Sequence, residues 1–277
     1  IFTAQFHGSQ DTEGERYTFR FKLIICLMLA LLGGGLFYLG GPTLIGLYLT
    51  GDGDAAMAAG ALEYGMKYLT VMLWGFLPFA LTNVYASTMK ECGNTFVPMV
   101  GGIAAVLVNL GLNYVLIFGH FGAPAMGVEG AALATVISRC AELLIVAGWV
   151  HRNTGKNPYI VGAYRSLYLP GRLLKSIIVK GMPLLVNEAL WSCGMAFLNQ
   201  CYSTCGLDVV PAMNISNTLF NLASVVFLSL GNAVGILMGQ LLGSNTTVEE
   251  VHSTNRKLLA LSVGSGVFFG ALMAAFS

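Results

Sequence analysis

Residues 97–118 read VPMVGGIAAVLVNLGLNYVLIF, an apolar run that contains no charged side chain. An α-helix needs about 20 predominantly apolar residues to cross the hydrocarbon core of a bilayer. The strands of a membrane barrel instead alternate apolar and polar residues over about 10 positions, and this run lacks that alternation. The stretch therefore predicts a transmembrane α-helix.

Comparable runs recur along the chain between short polar breaks. Of its 277 residues, 56% are hydrophobic and 10% are charged, whereas soluble domains carry about 25% charged residues. We therefore predict an all-α integral membrane protein, a polytopic helical bundle in a lipid bilayer. The net charge of +1 gives no reason to expect a nucleic-acid partner. The predicted spans are residues 23–49, 63–88, 97–118, 128–150, 178–204, 210–242 and 258–277, and residues 1–8 are expected to end an earlier helix.

Lysine and arginine are concentrated in alternate breaks. The breaks that lie between the basic ones contain no lysine and no arginine. They are residues 50–62, 119–127 and 205–209. Because cytoplasmic loops of membrane proteins carry an excess of these residues, the basic breaks are predicted to face the cytoplasm. The basic breaks are residues 9–22, 89–96, 151–180 and 243–257.

The longest polar break is predicted to separate two lobes. Residues 151–177 include two prolines and several basic residues. This composition favours a cytoplasmic linker, with or without a short interfacial helix. We predict a partial amino-terminal lobe at residues 1–150 and a partial carboxy-terminal lobe at residues 178–277.

The cysteines give no sign of a metal site or a disulfide framework. They lie mostly within apolar runs and form no CxxC pair, so we expect small buried apolar side chains and no cofactor. They are Cys26, Cys92, Cys140, Cys193, Cys201 and Cys205.

A short motif occurs twice at an offset of 235 residues, as Gln5-x-x-Gly8-Ser9 and as Gln-x-x-Gly-Ser over residues 240–244. Both copies lead from a helix into a basic break, so both have the same orientation in the membrane. This predicts a parallel repeat of two like lobes. We expect the chain to be the middle of a twelve-helix protein, truncated at both ends. The same offset also pairs Thr12 with Thr247, Glu15 with Glu250, Lys22 with Lys257 and Leu23 with Leu258.

Six segments resemble the multidrug and toxic compound extrusion transporters. The resemblance covers essentially the whole chain, in order, and the GVEGAALAT segment and the paired Gln-x-x-Gly elements make it specific. The segments are Gln5-x-x-Gly8, residues 90–98 (KECGNTFVP), 109–119 (NLGLNYVLIFG), 127–135 (GVEGAALAT), 181–183 (GMP) and 239–243 (GQLLG).

The resemblance implies a MATE-like fold in which the chain runs from the end of the family's second helix through its ninth. It implies a secondary antiporter, not an enzyme, that exports organic cations or amphipathic drug-like compounds in exchange for Na⁺ or H⁺ by alternating access. The implied partners are those compounds, the lipid bilayer of a bacterial-type cytoplasmic membrane, and the remaining helices of the full-length protein.

Glu188 is the first candidate for ion binding, in the fifth predicted span. An ionisable group at mid-membrane costs at least about 2.5 kcal/mol, so a functional role is the default expectation. Glu188 follows Gly181 and Pro183 and lies beside Asn187, and its carboxylate can bind Na⁺ or take up a proton. Trp191, one turn further on, offers an aromatic face to a cation. The resemblance implies an acidic residue at the position of Trp191, and a packing role for Glu188 is the alternative.

Asn109 and Asn113 lie four residues apart and project from one helix face. The resemblance implies a cation and proton site formed by an Asn, an Asp and the hydroxyl of Thr135, with Asn113 in place of the Asp. An amide coordinates Na⁺ but cannot be protonated like a carboxylate, so Asn113 argues against a proton site here. Hydrogen bonding between helices is the equal alternative.

The sixth span carries a polar stripe of Asn214, Asn217 and Asn221, expected to line a cavity or else to serve helix packing. Among the remaining charges, Arg139 and Glu142 are expected to form an i,i+3 ion pair. Glu63 and Glu91 lie at the ends of spans and are expected to be solvated.

Two other functions stay open. A lipid-linked oligosaccharide flippase of the same superfamily would need several basic residues within the spans to meet pyrophosphate, and the spans hold almost none. A membrane-embedded enzyme would need His, Asp or Ser clustered at one depth. The histidines lie instead at the ends of spans or in breaks, at His7, His120, His151 and His252.

Overall fold

The computed structural model describes residues 1–47, 49, 55–204, 209–244 and 246–276, and all regular elements within them are helical. The all-α class is thereby confirmed for this part of the chain. Three single-turn 3₁₀ helices join the longer helices at His120–Gly122, Pro158–Ile160 and Ala163–Arg165. The α-helices are α1 (Phe2–Gly8), α2 (Thr12–Gly46), α3 (Ala55–Leu73), α4 (Phe76–Glu91), α5 (Phe96–Phe118), α6 (Val128–Arg152), α7 (Gly171–Ser203), α8 (Val209–Gly243) and α9 (Val248–Phe276).

Local sequence explains where α2 and α5 begin and end. The Asp11 carboxylate accepts hydrogen bonds from the backbone N–H groups of Glu13 at 3.1 Å and Gly14 at 3.0 Å, so it caps the start of α2. As a result α2 begins well before the span predicted at residues 23–49. Helix α5 ends at Gly119, whose φ of 75° is the left-handed conformation that glycine adopts without strain.

The span predicted at residues 63–88 is not one straight helix. Helices α3 and α4 meet at a bend of 48°. Pro78 has no N–H to donate to the carbonyl four residues earlier, at Trp74, which ends the hydrogen-bond ladder there. A Cβ atom at Gly75 would lie 3.2 Å from Cγ2 of Val136, so glycine allows α6 to pack closely at the bend.

Among the described residues, four helices are long and apolar enough to cross a membrane, or five if the bent α3–α4 pair counts as one span. These are α2, α5, α6 and the Ser224–Gly243 part of α8. Helices α7 and α9 extend over the spans predicted at residues 178–204 and 258–277 but are not among them. Polar residues interrupt α7 at its middle.

Three basic breaks contact one another at one end of the bundle, and the end of α8 that leads into the fourth break lies beside them. We call this end of the bundle the basic end. The Lys22 ammonium lies 2.5 Å from the Glu91 carboxylate, and the Gln240 amide donates to the backbone carbonyl of Glu91 at 2.8 Å. The Arg20 guanidinium donates to the carbonyl of Ala163 at 2.7 Å. The alternation of basic breaks therefore did identify segments that share one end of the molecule.

The linker is anchored to the amino-terminal half at the basic end. Fully buried Phe19 contacts the rings of Tyr85, Tyr159 and Tyr164. The Tyr85 hydroxyl is hydrogen-bonded to the Tyr164 hydroxyl and to Nε2 of His151 at 3.0 Å. Residues 151–168 of the linker are thus packed against α2 and α4. The division into lobes stays a prediction.

Candidate functional site

The amide pair of α5 and the hydroxyl of α6 form one connected group. Asn113 Nδ2 donates to Asn109 Oδ1 at 3.0 Å, and Asn109 Nδ2 donates to Thr135 Oγ1 at 3.3 Å. Thr135 Oγ1 in turn donates to the carbonyl of Ala131 at 3.0 Å. Asn113 Oδ1 is buried and has no hydrogen-bond partner among the described residues. The structure therefore brings together three residues that sequence reasoning had grouped, and leaves one acceptor oxygen unused.

A small cleft of about 160 Å³ lies beside this group. Arg139 lines it, and its guanidinium is 2.9 Å from the Glu142 carboxylate, which confirms the predicted ion pair. The guanidinium also lies 5.4 Å from the ring centre of Phe79 on α4. The positive charge beside the cleft is therefore balanced, and the cleft presents neutral oxygen ligands. The lining residues are Gly102, Ala105, Val106, Asn109, Thr135, Ser138 and Arg139.

The candidate residues of α7 are placed differently. Asn187 and Glu188 are exposed on this helix, and the indole of Trp191 is 61% exposed. In the part of the chain that the structure describes, Glu188 forms no ion pair. The structure therefore does not assemble a site around Glu188, and its role stays a prediction.

The asparagine stripe of α8 is on a largely uncovered helix face. Asn214 and Asn221 are exposed and Asn217 is half-buried. The Asn214 backbone carbonyl accepts a hydrogen bond from Thr218 Oγ1 at 2.7 Å. The stripe is present as predicted, but the described residues do not close it into a cavity.

The two copies of the repeated motif pack directly against each other. A Cβ atom at Gly8 would overlap the backbone carbonyl of Gln240, and one at Gly243 would overlap the backbone carbonyl of Gln5. Helices α1 and α8 therefore cross at their glycines with backbone in contact with backbone. The reciprocity follows from the repeat, since each glycine meets the glutamine of the other copy. Sequence reasoning identified the repeat but not this contact.

A cleft of about 450 Å³ lies between α4 and α8, beside this crossing. It receives polar side chains from both halves of the chain. Asn83 and Ser87 come from α4, and Asn232 comes from α8. Asn83 was missed by sequence reasoning, although a lone amide inside the apolar span 63–88 was a usable signal.

Glu91 also lines the cleft between α4 and α8, and the expectation that it is solvated was wrong. Its side chain is 14% exposed, and its carboxylate pairs with Lys22 at 2.5 Å. Lys22 also donates to Thr88 Oγ1 at 3.3 Å. A partner 69 residues away along the chain accounts for the burial of this carboxylate.

An apolar groove of about 400 Å³ runs between α2 and α4. Three aromatic rings, from Phe37, Phe76 and Phe79, line it together with the glycines Gly33 and Gly34. Phe37 and Phe76 have ring centres 5.8 Å apart. The groove thus offers aromatic surface, with Asn83 as a polar contact at its border.

Comparison with known proteins gives a consistent result. A family described as MatE matches residues 1–115 and 183–277. The chain is 27% identical to the probable multidrug resistance protein YoeA of Bacillus subtilis, over 88% of this chain and 51% of that protein. It is 28% identical to the multidrug resistance protein MdtK of Klebsiella pneumoniae, over 68% of this chain and 41% of that protein.

A third relative, the probable multidrug resistance protein NorM of Agrobacterium fabrum, is 24% identical over 98% of this chain and 56% of its own length. The chain therefore spans about half the length of the curated relatives that it matches.

Proposed function

The chain belongs to the MatE family of polytopic helical membrane proteins, and from this premise we propose that it is part of a secondary antiporter for multidrug efflux. The proposed antiporter exports organic cations or amphipathic drug-like compounds in exchange for Na⁺ or H⁺, by alternating access, across a bacterial cytoplasmic membrane. The names of the relatives support efflux of several drugs, and no relative reported above is named as an enzyme.

The observation that carries the proposal is the reciprocal crossing of α1 and α8. Small residues let the backbones of membrane helices approach closely, and in transporters built from repeats the two halves rock against each other. Gly8 and Gly243 provide that contact at the basic end. We propose that it closes the transporter on the cytoplasmic side and separates when the cavity opens there.

Substrate binding is proposed in the cleft between α4 and α8 and in the aromatic groove between α2 and α4. Amide oxygens of Asn83 and Asn232 suit the polar part of a cationic compound, and Phe37, Phe76 and Phe79 suit its apolar part. Pockets that are mostly apolar with few polar groups are typical of small-molecule sites.

Ion coupling is proposed at two places. The unused Asn113 oxygen, together with Asn109 and Thr135, offers neutral oxygens of the kind that bind Na⁺. Glu188, with Asn187 and Trp191 beside it, is the proposed acidic group of the carboxy-terminal lobe, as its position in α7 predicts. Asn214, Asn217 and Asn221 are proposed to line the cavity of that lobe.

The test uses the full-length protein in liposomes loaded with a fluorescent organic cation. Export is measured under a Na⁺ gradient and, separately, under a pH gradient. We expect export that depends on one of the two gradients and stops when that gradient is collapsed. Absence of export under both gradients, with flipping of a lipid-linked oligosaccharide in the same liposomes, would overturn the proposal in favour of the flippase alternative.

A further inference from the structure

Three side chains of the kinds that bind transition metals converge at the basic end. They are His7 from α1, Glu15 from the first turn of α2, and Cys92, which follows α4. One ligand atom from each lies within 4.8 Å of the other two. His7 Nδ1 and Glu15 Oε1 are 2.7 Å apart.

The cluster is partly buried. Glu15 is only 4% exposed, and Cys92 is half-buried. Among the described residues, Lys22 pairs with Glu91 at 2.5 Å, and the ion-pair partner of Glu15 is His7.

We propose that His7, Glu15 and Cys92 form a binding site for a divalent transition-metal ion of the Zn²⁺ class. An imidazole nitrogen, a thiolate sulfur and a carboxylate oxygen are all ligands of Zn²⁺, and three protein ligands leave one position open. Mg²⁺ and Ca²⁺ prefer sites built of oxygen alone, so the mixed set disfavours them. A bound dication displaces the proton of the Cys92 thiol.

The site ties α1 to both α2 and the end of α4. Helix α1 carries Gln5 and Gly8, which contact α8, and the residue before Cys92 accepts a hydrogen bond from Gln240. The metal thus stabilises the amino-terminal side of the α1–α8 crossing. This inference does not depend on which solute or coupling ion the protein moves.

The test titrates purified full-length protein with Cd²⁺ and records the ultraviolet charge-transfer band of a thiolate bound to the metal. We expect one equivalent to bind, with the band lost in Cys92→Ser. Affinity should fall by about tenfold or more in His7→Gln and in Glu15→Gln, since even outer-shell partners of a metal cost that much when removed. Zn²⁺ should compete with Cd²⁺ and raise the melting temperature.

Cys140→Ser is the matched control, because Cys140 is a half-buried cysteine of α6 outside the cluster, and it should bind like the unaltered protein. If Cys92→Ser does not fold, a protein with Cys92 as its sole cysteine must still show the band, and the band must weaken when His7→Gln and Glu15→Gln are added to it. A band that survives Cys92→Ser, or an affinity unchanged in both His7→Gln and Glu15→Gln, would overturn the proposal.

Discussion

Gly8 lies directly on the backbone carbonyl of Gln240, with no room for a side chain between them. The same contact is made by Gly243 on the carbonyl of Gln5. Both glycines belong to the repeated Gln-x-x-Gly motif, so the motif is explained by its own packing. A backbone carbonyl within a helix cannot move aside as a flexible side chain can, which makes these two glycines sensitive to any substitution.

Gly8→Ala and Gly243→Ala should each destabilise the α1–α8 crossing, because the added methyl group overlaps a backbone carbonyl. Overpacking of this kind costs about 1–3 kcal/mol. The measurements are the melting temperature of the purified protein and drug export in liposomes, both of which should fall. Gly148→Ala on α6 is the control, since a Cβ atom there meets nothing within 4 Å and alanine gains up to about 1 kcal/mol of helix propensity. Equal stability and export in Gly8→Ala and Gly148→Ala would contradict the role of the crossing.

Arg20→Lys should loosen the linker from α2. The Arg20 guanidinium donates through Nε to Ala163 at 2.7 Å and through Nη2 to Gly162 at 2.8 Å. An ammonium cannot reproduce this planar fork, and the loss of a charged hydrogen bond costs about 2 kcal/mol. Limited trypsin digestion should cut residues 151–177 faster in Arg20→Lys. Arg172→Lys is the control, because Arg172 is at an exposed position of α7, and it should be digested like the unaltered protein. An unchanged rate of digestion in Arg20→Lys would show that other contacts hold the linker.

Lys22→Met should destabilise the protein by leaving the Glu91 carboxylate without this ammonium. Removing one partner of a fully buried pair costs about 3–5 kcal/mol, and we expect about 2–3 kcal/mol here because Lys22 is 22% exposed. Glu91→Gln added to Lys22→Met should restore much of the loss. Lys67→Met is the matched control: its partner Glu63 is 66% exposed, and exposed pairs contribute about 0–1 kcal/mol. The denaturant midpoint of each of the three variants measures its stability. Similar losses for Lys22→Met and Lys67→Met would show that the buried pair contributes no more than the exposed one.

Hydropathy was sufficient to predict helices, because each apolar run is a local property of the chain. The bend at Gly75 was missed since it falls inside a continuous apolar run, where only Pro78 signals a broken hydrogen-bond ladder. The burial of Glu91 was missed for a different reason. Its charge is balanced by Lys22 from another helix, and a partner so distant in sequence leaves no local pattern.

The candidate sites also differ in how far the sequence predicts them. Asn109 and Asn113 share a helix face by their spacing alone, and the resemblance added Thr135, so this group could be predicted. The cluster of His7, Glu15 and Cys92 could not, because its members come from three helical elements whose relative positions depend on the whole bundle.

Asn113→Leu tests the proposed Na⁺ site in the amino-terminal half. The change removes the unused Oδ1 and the hydrogen bond to Asn109 and keeps a side chain that is branched at Cγ. A lost hydrogen bond between membrane helices costs only about 0.6 kcal/mol, so the protein should remain folded. We expect Na⁺-driven export to fall by about tenfold or more, because one tenfold change corresponds to about 1.4 kcal/mol of lost ion binding. Ser138→Ala, in the same cleft, should retain export, and full Na⁺-driven export in Asn113→Leu would place coupling elsewhere.

Glu188→Gln tests the proposed acidic group of α7. The amide keeps the size of the side chain and its ability to accept a hydrogen bond, but it carries no charge and takes up no proton. If Glu188 couples ion movement to export, Glu188→Gln should abolish gradient-driven export while the protein stays folded, because Glu188 is exposed and forms no ion pair among the described residues. Glu249→Gln, at an exposed position in the first turn of α9, should leave export intact.

A second measurement, binding of the fluorescent cation without a gradient, separates a role of Glu188 in ion coupling from a role in binding the cation. Loss of a coupling residue affects export alone, whereas loss of a residue that contacts the cation also weakens its binding. Full export by Glu188→Gln under the driving gradient would show that coupling does not need this carboxylate.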